Sequence, residues 1–223
     1  MVNFNGSLID SAESFFTSEN RGYKYGDALF ETLKVVNGKI FFWEDHYFRL
    51  MASMRIMRMD IPMNFTMEFL EAEILKTIEA NNLSNTSARV RLNVDRGEGG
   101  KYLPGKTSKV AFNIVADTFN EPFYSVKDEQ TYEVDLYKDF FIAPGLLSGL
   151  KNNNKAVQVM GSIYAQENDL ENCLVLNTNK SVIEGLNGNL FLVKGDKIKT
   201  PPLEDGCLKG VMRKQVLEIL SKD

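Results

Sequence analysis

Two β-rich segments flank Asn37-Gly38, and this arrangement constrains the fold more than any other local feature of the chain. The first segment, 27–36, alternates apolar side chains in part, and the second covers 39–42. Asn-Gly is a preferred pair for a two-residue turn in which both residues adopt positive φ. We therefore predict an antiparallel hairpin here, and the segment 2–9 around Asn5-Gly6 has the same pattern on a smaller scale.

From Trp43 the apolar period changes from that of a strand to that of a helix. Trp43, Leu50 and Met54 share one face, whereas Arg49 and other charged residues fall on the other, which predicts an amphipathic helix that Pro62 terminates. The segment 11–25 has no period and is expected to be irregular. Further helices are predicted at about 66–80, 155–168 and 210–221. Further strands are predicted at 88–94, 110–116, 131–137, 173–176, 181–184, 190–193 and 197–199.

The chain of 223 residues is long enough for one or two domains with real cores. The segment 118–130 is polar, contains Pro122 and has no period, so we predict an interdomain linker there. It would separate a small α/β domain, 1–117, from a larger β-rich domain, 131–223. The order of elements therefore predicts an α+β fold with two domains.

Composition excludes several classes of function. The net charge of −4 argues against nucleic acid as a partner, and no apolar run approaches the roughly 20 residues that span a bilayer. The first residues lack the layout of a signal peptide. One histidine and two cysteines, Cys173 and Cys207, make neither a metal cluster nor a disulfide framework. We expect free thiols in a reducing cytoplasm, no metal and no membrane.

Lys151 and Glu184 are the first candidates for chemistry. A lysine amine forms Schiff bases with carbonyl compounds, and Lys151 stands in a small and polar setting after Gly149. A carboxylate can keep a pyridinium nitrogen protonated, and Glu184 closes an apolar run before a Gly/Asn turn. Charged residues are mostly exposed, so each residue taken singly is also compatible with an ordinary surface position.

Four motifs in order resemble the class IV aminotransferase family, the fold-type-IV enzymes that use pyridoxal 5′-phosphate (PLP). Members include branched-chain and D-amino-acid aminotransferases and 4-amino-4-deoxychorismate lyase. The resemblance covers nearly the whole chain. The motifs are Tyr25-Gly26-Asp27-Ala28-Leu29-Phe30-Glu31, His46-Tyr47-Phe48-Arg49-Leu50, Gly149-Leu150-Lys151 with Asn154, and Glu184 with Asn189-Leu190-Phe191, Thr200-Pro201 and Leu208-Lys209-Gly210-Val211-Met212-Arg213.

The resemblance implies a role for each matched residue. Lys151 would carry the cofactor as a Schiff base and move the substrate proton, with Lys155 as the rival lysine. Glu184 would pair with the pyridine nitrogen, and Asn189 belongs to the same motif. Arg49 would hold the phosphate, for which its planar fork is suited. Further cofactor contacts are implied at the start of the last helix, where free N–H groups attract anions, from the residues Gly210, Val211 and Met212.

The resemblance also bears on the substrate. It implies substrate contacts from Phe30, Arg91 and Arg96, although a strand arginine can equally face solvent. The expected activity is amino transfer between a branched-chain amino acid and a 2-oxo acid. Release of pyruvate and 4-aminobenzoate from aminodeoxychorismate is the alternative, and an inactive PLP-binding relative is a further one. Lys155-Ala156 stands where branched-chain enzymes usually carry a tyrosine, and Phe30 replaces the tyrosine of D-amino-acid aminotransferases.

Two further expectations follow from the resemblance. Family chains continue after the last predicted helix into more strands and a helix, whereas this sequence stops at Asp223, so the second domain is expected to be short at that end. Family enzymes are usually homodimers, so a homodimer is expected by analogy.

Overall fold

The computed structural model describes residues 1–106, 108–120, 122–123 and 131–222. It divides into two compact units, Met1–Ser125 with Lys151–Asn153, and Val126–Leu150 with Asn154–Asp223. The expected linker, 118–130, lies largely outside the described residues. The domain limits drawn from the sequence therefore stay a prediction. Each unit combines helices with sheet, which gives an α+β fold, as predicted.

An antiparallel sheet of six strands, in the order β2-β1-β6-β5-β3-β4, forms the base of the first unit. Its predicted hairpins and helices are confirmed, with ends that move by a few residues. The elements are β1 (Val2–Phe4), β2 (Ser7–Ile9), α1 (Arg21–Tyr25), β3 (Ala28–Val36), β4 (Lys39–Ile40), α2 (Trp43–Ile56), α3 (Met67–Ala80), β5 (Ser87–Asp95) and β6 (Ala111–Thr118).

Both Asn-Gly pairs turn the chain as expected. Asn37 has φ 49° and Gly38 has φ 73°, while Asn5 and Gly6 have φ 52° and 88°. Positive φ at both central residues is the geometry of a type I′ turn, whose twist matches that of the flanking strands. The turn at Asn37 therefore sets the register in which Val36 pairs with Lys39.

Helices α2 and α3 contact strands of this sheet. Successive side chains of β3 point to opposite faces of the sheet. Leu29, Glu31 and Leu33 project to one face, where Glu31 meets side chains of α2. Phe30 and Thr32 project to the other. The side chain of Thr66 caps α3 by accepting a hydrogen bond from the N–H of Phe69 at 3.1 Å.

The short helix α1 lies inside a segment that was expected to be irregular, and this expectation was wrong for residues 21–25. Asn20 caps its first turn by accepting from Tyr23 N, and Gly26 ends it with φ 64°. Arg21 is buried and donates to the carbonyl oxygens of Gly99 and Tyr102 at 3.0 and 3.1 Å. These long-range contacts stabilise a turn that has no apolar period of its own.

The second unit contains a three-stranded sheet in the order β7-β8-β9 and a separate ribbon of β10 and β11. Strands β7 and β8 are parallel and joined through α4, as a crossover connection requires. Strand β7 begins three residues later and ends five later than expected. The elements are β7 (Val134–Ile142), α4 (Ala156–Glu167), β8 (Asn172–Asn177), β9 (Val182–Gly185), β10 (Leu192–Lys194), β11 (Lys197–Lys199), a 3₁₀ turn (Leu203–Asp205) and α5 (Val211–Leu220).

Buried side chains of the second unit form two small clusters. Tyr137, Ala165 and Cys173 make the first, and Val175, Ile183 and Cys207 make the second. Both cysteines are free and buried, and burial raises the pKa of each thiol, so neither is activated as a nucleophile. None of the helices in the described part of the chain has the length and apolar character that a membrane span requires.

Candidate functional site

The short segment Lys151–Asn153 is attached to strand β3 of the first unit. The N–H of Phe30 donates to Lys151 O at 2.9 Å, and the N–H of Asn153 donates to Ala28 O at 3.0 Å. Leu29 and Asn152 form an antiparallel bridge between these two bonds. Since β5 pairs with β3 along its whole length, this segment occupies the other edge of the strand. The main chain of Lys151 is therefore placed by backbone pairing.

Two cations approach the ring of Phe30. The Nζ atom of Lys151 lies 4.5 Å from the ring centroid, and the guanidinium carbon of Arg91 lies 3.8 Å from it. Arg91 is further held by a hydrogen bond from its Nε to Asn93 Oδ1 at 2.9 Å. Burial, helped by the charge of Arg89, lowers the pKa of Arg91. Three of the residues singled out in the sequence thus come together on one side of β3.

Arg49 lies on the face of α2 where the sequence placed the charged residues, but its side chain is almost buried. Its side chain is 10% exposed and forms a fork on Glu31, which is 1% exposed. Nε donates to Oε1 at 2.8 Å, and Nη2 donates to Oε2. His46, one turn earlier on α2, places Nδ1 2.7 Å from the same Oε2. A buried carboxylate therefore holds both basic side chains against the sheet.

Burial alone raises the pKa of Glu31, but hydrogen bonds from Arg49 and His46, with their charges, outweigh it and hold this pKa below its ordinary value. A lowered pKa in the folded state means that the carboxylate contributes stability above its unfolded pKa of about 4.3. That contribution is lost as the pH falls through the folded pKa.

We therefore expect Glu31→Gln to be less stable than the wild type at neutral pH, with a difference that shrinks in acid. Urea unfolding curves, measured from about pH 7 down to and below the unfolded pKa of about 4.3, would give this difference in the free energy of unfolding. A difference that stays constant over the whole range would show that the charge of Glu31 does not stabilise the fold.

Arg96 makes contacts of a different kind from those of Arg91. Its Nε donates to Asp27 Oδ2 at 2.9 Å, Nη1 donates to Arg58 O at 2.8 Å, and Nη2 donates to Met57 O at 2.5 Å. All three nitrogens thus bind protein atoms. The geometry gives Arg96 a role in holding the loop after β5 near the end of α2, and it offers no support for the expected contact with substrate.

In the second unit, Glu184 and Asn189 hold the segment before α5. The N–H of Leu208 donates to Glu184 Oε2 at 2.8 Å, and Asn189 Nδ2 donates to Leu208 O at 2.8 Å. Glu184 is buried at 8% exposure. A Cβ atom at Gly210 would lie 2.0 Å from Asn189 Oδ1, so this position accepts only glycine without rearrangement. Helix α5 then begins at Val211.

The two remaining predicted cofactor residues differ in exposure. Val211 is buried at 6%, whereas Met212 is half exposed. Their N–H groups lie in the first turn of α5, which carries no acidic side chain. The first turn of a helix offers unpaired N–H groups and a positive dipole end to an anion. Among the described residues, no group of His, Cys, Asp and Glu side chains is arranged to hold a metal ion.

Reasoning from sequence left Glu31, which binds Arg49, and His46, which binds Glu31, without a site role. Glu31 belonged to the first motif and His46 to the second, but neither was assigned a contact. A usable signal was present, because Glu31 stands in an alternating strand at a position that faces the core with Leu29 and Leu33. A charge at such a position requires a buried partner of opposite sign.

Comparison with known proteins identifies the class. A family model described as amino-transferase class IV matches residues 28–223. This match covers most of the chain, so the protein belongs to the class IV amino-transferase family and is an enzyme. Its fold is the α+β fold of the fold-type-IV aminotransferases.

The relatives to which this chain is similar do not all have the same named activity. A Methanocaldococcus jannaschii protein named "Putative branched-chain-amino-acid aminotransferase" is 28% identical over 223 residues, which is 100% of this chain and 75% of the relative. An aminodeoxychorismate lyase of Vibrio harveyi is 29% identical over 206 residues, 92% of this chain and 73% of the relative.

A solved structure extends the comparison to the fold. The branched-chain amino acid aminotransferase of Escherichia coli superposes with a TM-score of 0.85 at 20% identity. The superposition covers 99% of this chain and 72% of that one. A further branched-chain amino acid aminotransferase, solved in complex with N-(5′-phosphopyridoxyl)-L-glutamate, superposes equally well. At 20% sequence identity, these similarities are evidence for the fold alone.

Proposed function

We propose that the chain is a PLP-dependent aminotransferase that moves an amino group between an amino acid of the branched-chain type and a 2-oxo acid. One observation carries the proposal. Lys151 is pinned to the edge of β3, with its amine over Phe30 and the cation of Arg91 at the same ring. An amine, a ring and a carboxylate-binding cation at one place suit an amino acid substrate.

The residues of each unit fit part of PLP by their chemistry. In the first unit, Lys151 supplies the amine that would bind the aldehyde, and the guanidinium of Arg49 supplies a cation for the phosphate. In the second unit, Glu184 supplies a buried carboxylate for the pyridine nitrogen, and the N–H groups after Gly210 would add contacts to an anion. PLP, when bound, withdraws electrons from the substrate carbon that loses a proton.

This chain's own residues would perform the remaining tasks. The amine of Lys151 would take the proton from the carbon that bears the amino group of the amino acid. It would also deliver a proton to the corresponding carbon of the 2-oxo acid that accepts the amino group. Arg91 would bind a substrate carboxylate, and Phe30 would line the space for the side chain. We propose Arg91 for this contact and not Arg96, because the guanidinium of Arg96 is committed to protein oxygens.

Aminodeoxychorismate lyase activity is the second candidate. Its support is the 29% identical lyase relative, which is as similar to this chain as the aminotransferase relative is. Arg21 anchors the main chain of the loop that contains Gly99 and Tyr102. Tyr102 is exposed there, so its ring is available to contact a ligand.

A substrate panel tests the two activities directly. Formation of glutamate from 2-oxoglutarate with leucine, isoleucine or valine is expected, and it would identify the aminotransferase. Release of pyruvate and 4-aminobenzoate from aminodeoxychorismate, without glutamate formation, would replace this proposal by the lyase. A protein that binds PLP and turns over neither set would be an inactive relative.

We also propose that the enzyme is a homodimer in the cytoplasm. The dimer is inferred from the class alone. The compartment is inferred from the free thiols of Cys173 and Cys207, which a reducing environment preserves. Sedimentation of the purified protein as a monomer would contradict the dimer.

A further inference from the structure

Arg91 differs from the other buried or partly buried arginines of the first unit in the group that holds it. Each of the others, Arg21, Arg49 and Arg96, is bound by a carboxylate. Arg91 is also partly buried, yet its only hydrogen bond to a described residue runs from Nε to the neutral amide oxygen of Asn93 at 2.9 Å. A partly buried cation without a carboxylate partner therefore stands on β5.

We propose that Asn93 and Asn113 are positioning residues, which hold the guanidinium of Arg91 in place without neutralising it, so that it can bind the carboxylate of the substrate. This inference rests on the function proposed above, in which Arg91 makes that contact. It adds the two side chains that set the direction and preserve the charge of the contact.

The register of the sheet places these side chains on one face. Asn93 pairs with Phe30 of β3 on one side and with Asn113 of β6 on the other. Directly paired residues of neighbouring strands point to the same face, and so do residues two apart on one strand, such as Arg91 and Asn93. The ring of Phe30, whose centroid lies 4.5 Å from the amine of Lys151, is therefore on the same face as the amide pair and the arginine.

The hydrogen bonds fix the orientation of the two amides. A guanidinium only donates, so Asn93 must present its oxygen to Nε of Arg91. The Nδ2 atom of Asn93 then donates to Oδ1 of Asn113 at 3.0 Å, and Asn113 is 4% exposed. Since the amide of Asn93 is held at both ends, it cannot turn over without losing both bonds. The position of Nε is thus restrained from β6 through β5.

The charge of Arg91 is not compensated by the protein. In the part of the chain that the structure describes, Arg91 forms no ion pair, and neither of its Nη atoms donates a hydrogen bond. Burial, together with the charge of Arg89, lowers the pKa of Arg91, as expected for a cation without a counter-charge. A carboxylate would supply the missing charge and two acceptor oxygens for the Nη atoms.

A purely structural hydrogen bond is the competing interpretation, and an acid compared with its amide distinguishes the two. 4-Methylpentanoate is leucine without the amino group, and 4-methylpentanamide has the same apolar body without the charge. A structural role for Asn93 would affect the binding of both compounds alike, because they share that body. A positioning role would affect the binding of the acid alone, because the charged group is the one that Arg91 binds.

The experiment measures the dissociation constants of the acid and the amide by calorimetry, with purified protein that carries PLP. We expect the wild type to prefer the acid and Arg91→Met to lose this preference. Asn93→Leu keeps nearly the same size without the acceptor, and it should lower the preference by about 10-fold, the value of one hydrogen bond. A wild-type preference in Asn93→Leu or in Arg91→Met would overturn the proposal.

Asn93→Asp tests the charge separately from the hydrogen bond. The new carboxylate still accepts from Nε, and the amide of Asn113 can turn over to donate to it, so both bonds are retained. Because the carboxylate neutralises Arg91, we expect the preference for the acid to fall by at least about 10-fold while the fold stays as stable. Retention of the wild-type preference would contradict the proposal, since a purely structural role predicts that result.

Asn113→Leu tests the second amide. It releases Asn93 and leaves the bond to Arg91 in place, so a smaller loss of about 2- to 5-fold is expected in the same ratio of dissociation constants. An unchanged ratio would contradict the part of Asn113 in the proposal.

Asn3 provides the matched control. It is a buried amide of β1 that points to the other face of the same sheet, since it is its neighbour Phe4 that pairs with Asn113. Its Nδ2 donates to Glu73 Oε2 at 2.6 Å. Asn3→Leu is expected to reduce stability and to leave the preference for the acid unchanged. A loss equal to that in Asn93→Leu would contradict positioning, because the effect would then be general.

These outcomes separate the positioning role from the proposed function itself. If the substrate panel gives no glutamate, the aminotransferase proposal fails, whereas the titrations need no turnover and still test the amide pair. If the panel gives the lyase products, 4-aminobenzoate and 4-aminobenzamide replace the two ligands, and the same loss of preference is expected. If the wild type transfers amino groups and prefers the acid, but Asn93→Leu and Asn93→Asp prefer it equally, only the positioning role fails.

Discussion

Replacement of Lys151 by alanine is expected to abolish the covalent attachment of PLP and to reduce amino transfer by at least about a thousandfold. The lysine supplies both the amine that binds the cofactor and the base that moves the substrate proton. Its main chain is held by the N–H of Phe30, so loss of the side chain should leave the fold intact. Borohydride reduction followed by peptide mass spectrometry would locate the adduct.

Lys155 provides the matched control for that variant. It stands four residues later, at the N-terminus of α4 in the second unit, and was the rival in the sequence. Lys155→Ala should keep the reduced adduct on the peptide that contains Lys151. An adduct that survives in Lys151→Ala and disappears in Lys155→Ala would reverse the assignment of the two lysines.

Replacement of Gly97 by alanine is expected to reduce the free energy of unfolding by about 2–5 kcal/mol. Gly97 has φ 71°, and a Cβ atom there would lie 2.2 Å from the carbonyl oxygen of Lys109. A backbone oxygen cannot move aside as a flexible side chain can. Gly97 also accepts a hydrogen bond from Arg21 N at 2.7 Å, so a shift of its backbone would disturb α1.

Gly38 separates the cost of the clash from the cost of the backbone conformation. It has φ 73°, but a methyl group added there would meet no atom within 4 Å, so Gly38→Ala carries only the conformational cost of about 1–2 kcal/mol. Chemical denaturation of both variants gives the difference. Equal losses at Gly38 and Gly97 would mean that the contact with Lys109 is relieved at little cost.

Elements with strong local signals could be predicted closely. The turn at Asn37-Gly38 needs positive φ at both residues, and few other pairs allow this, so the sequence determined the hairpin. The apolar period after Trp43 likewise predicted α2. Helix α1 could not be predicted, because Gly22 lies within it and its stability comes from contacts of Arg21 with a distant loop.

Some features of the candidate site could likewise be predicted from the sequence, and others could not. Residue types and their order pointed to Lys151, Arg49 and Glu184, since the chemistry of an amine, a guanidinium and a carboxylate is readable from sequence. Sequence reasoning could not choose between Arg91 and Arg96. In the structure Arg91 lies over Phe30 beside the lysine, whereas Arg96 binds the main-chain oxygens of Met57 and Arg58, just after α2.

By itself the sequence determined the hairpins, the main helices and the class of enzyme, and it supplied the residues that we propose for binding PLP. Tertiary structure alone decided which charged groups are buried together. A helix period records only which side chains are apolar, so it placed Arg49 among the charged residues of α2 without indicating that its side chain is buried. Its burial depends on Glu31, 18 residues away in the chain, because a buried charge is stable only beside its partner. Such pairing depends on how β3 packs against α2, so it cannot be read from the sequence of either element alone.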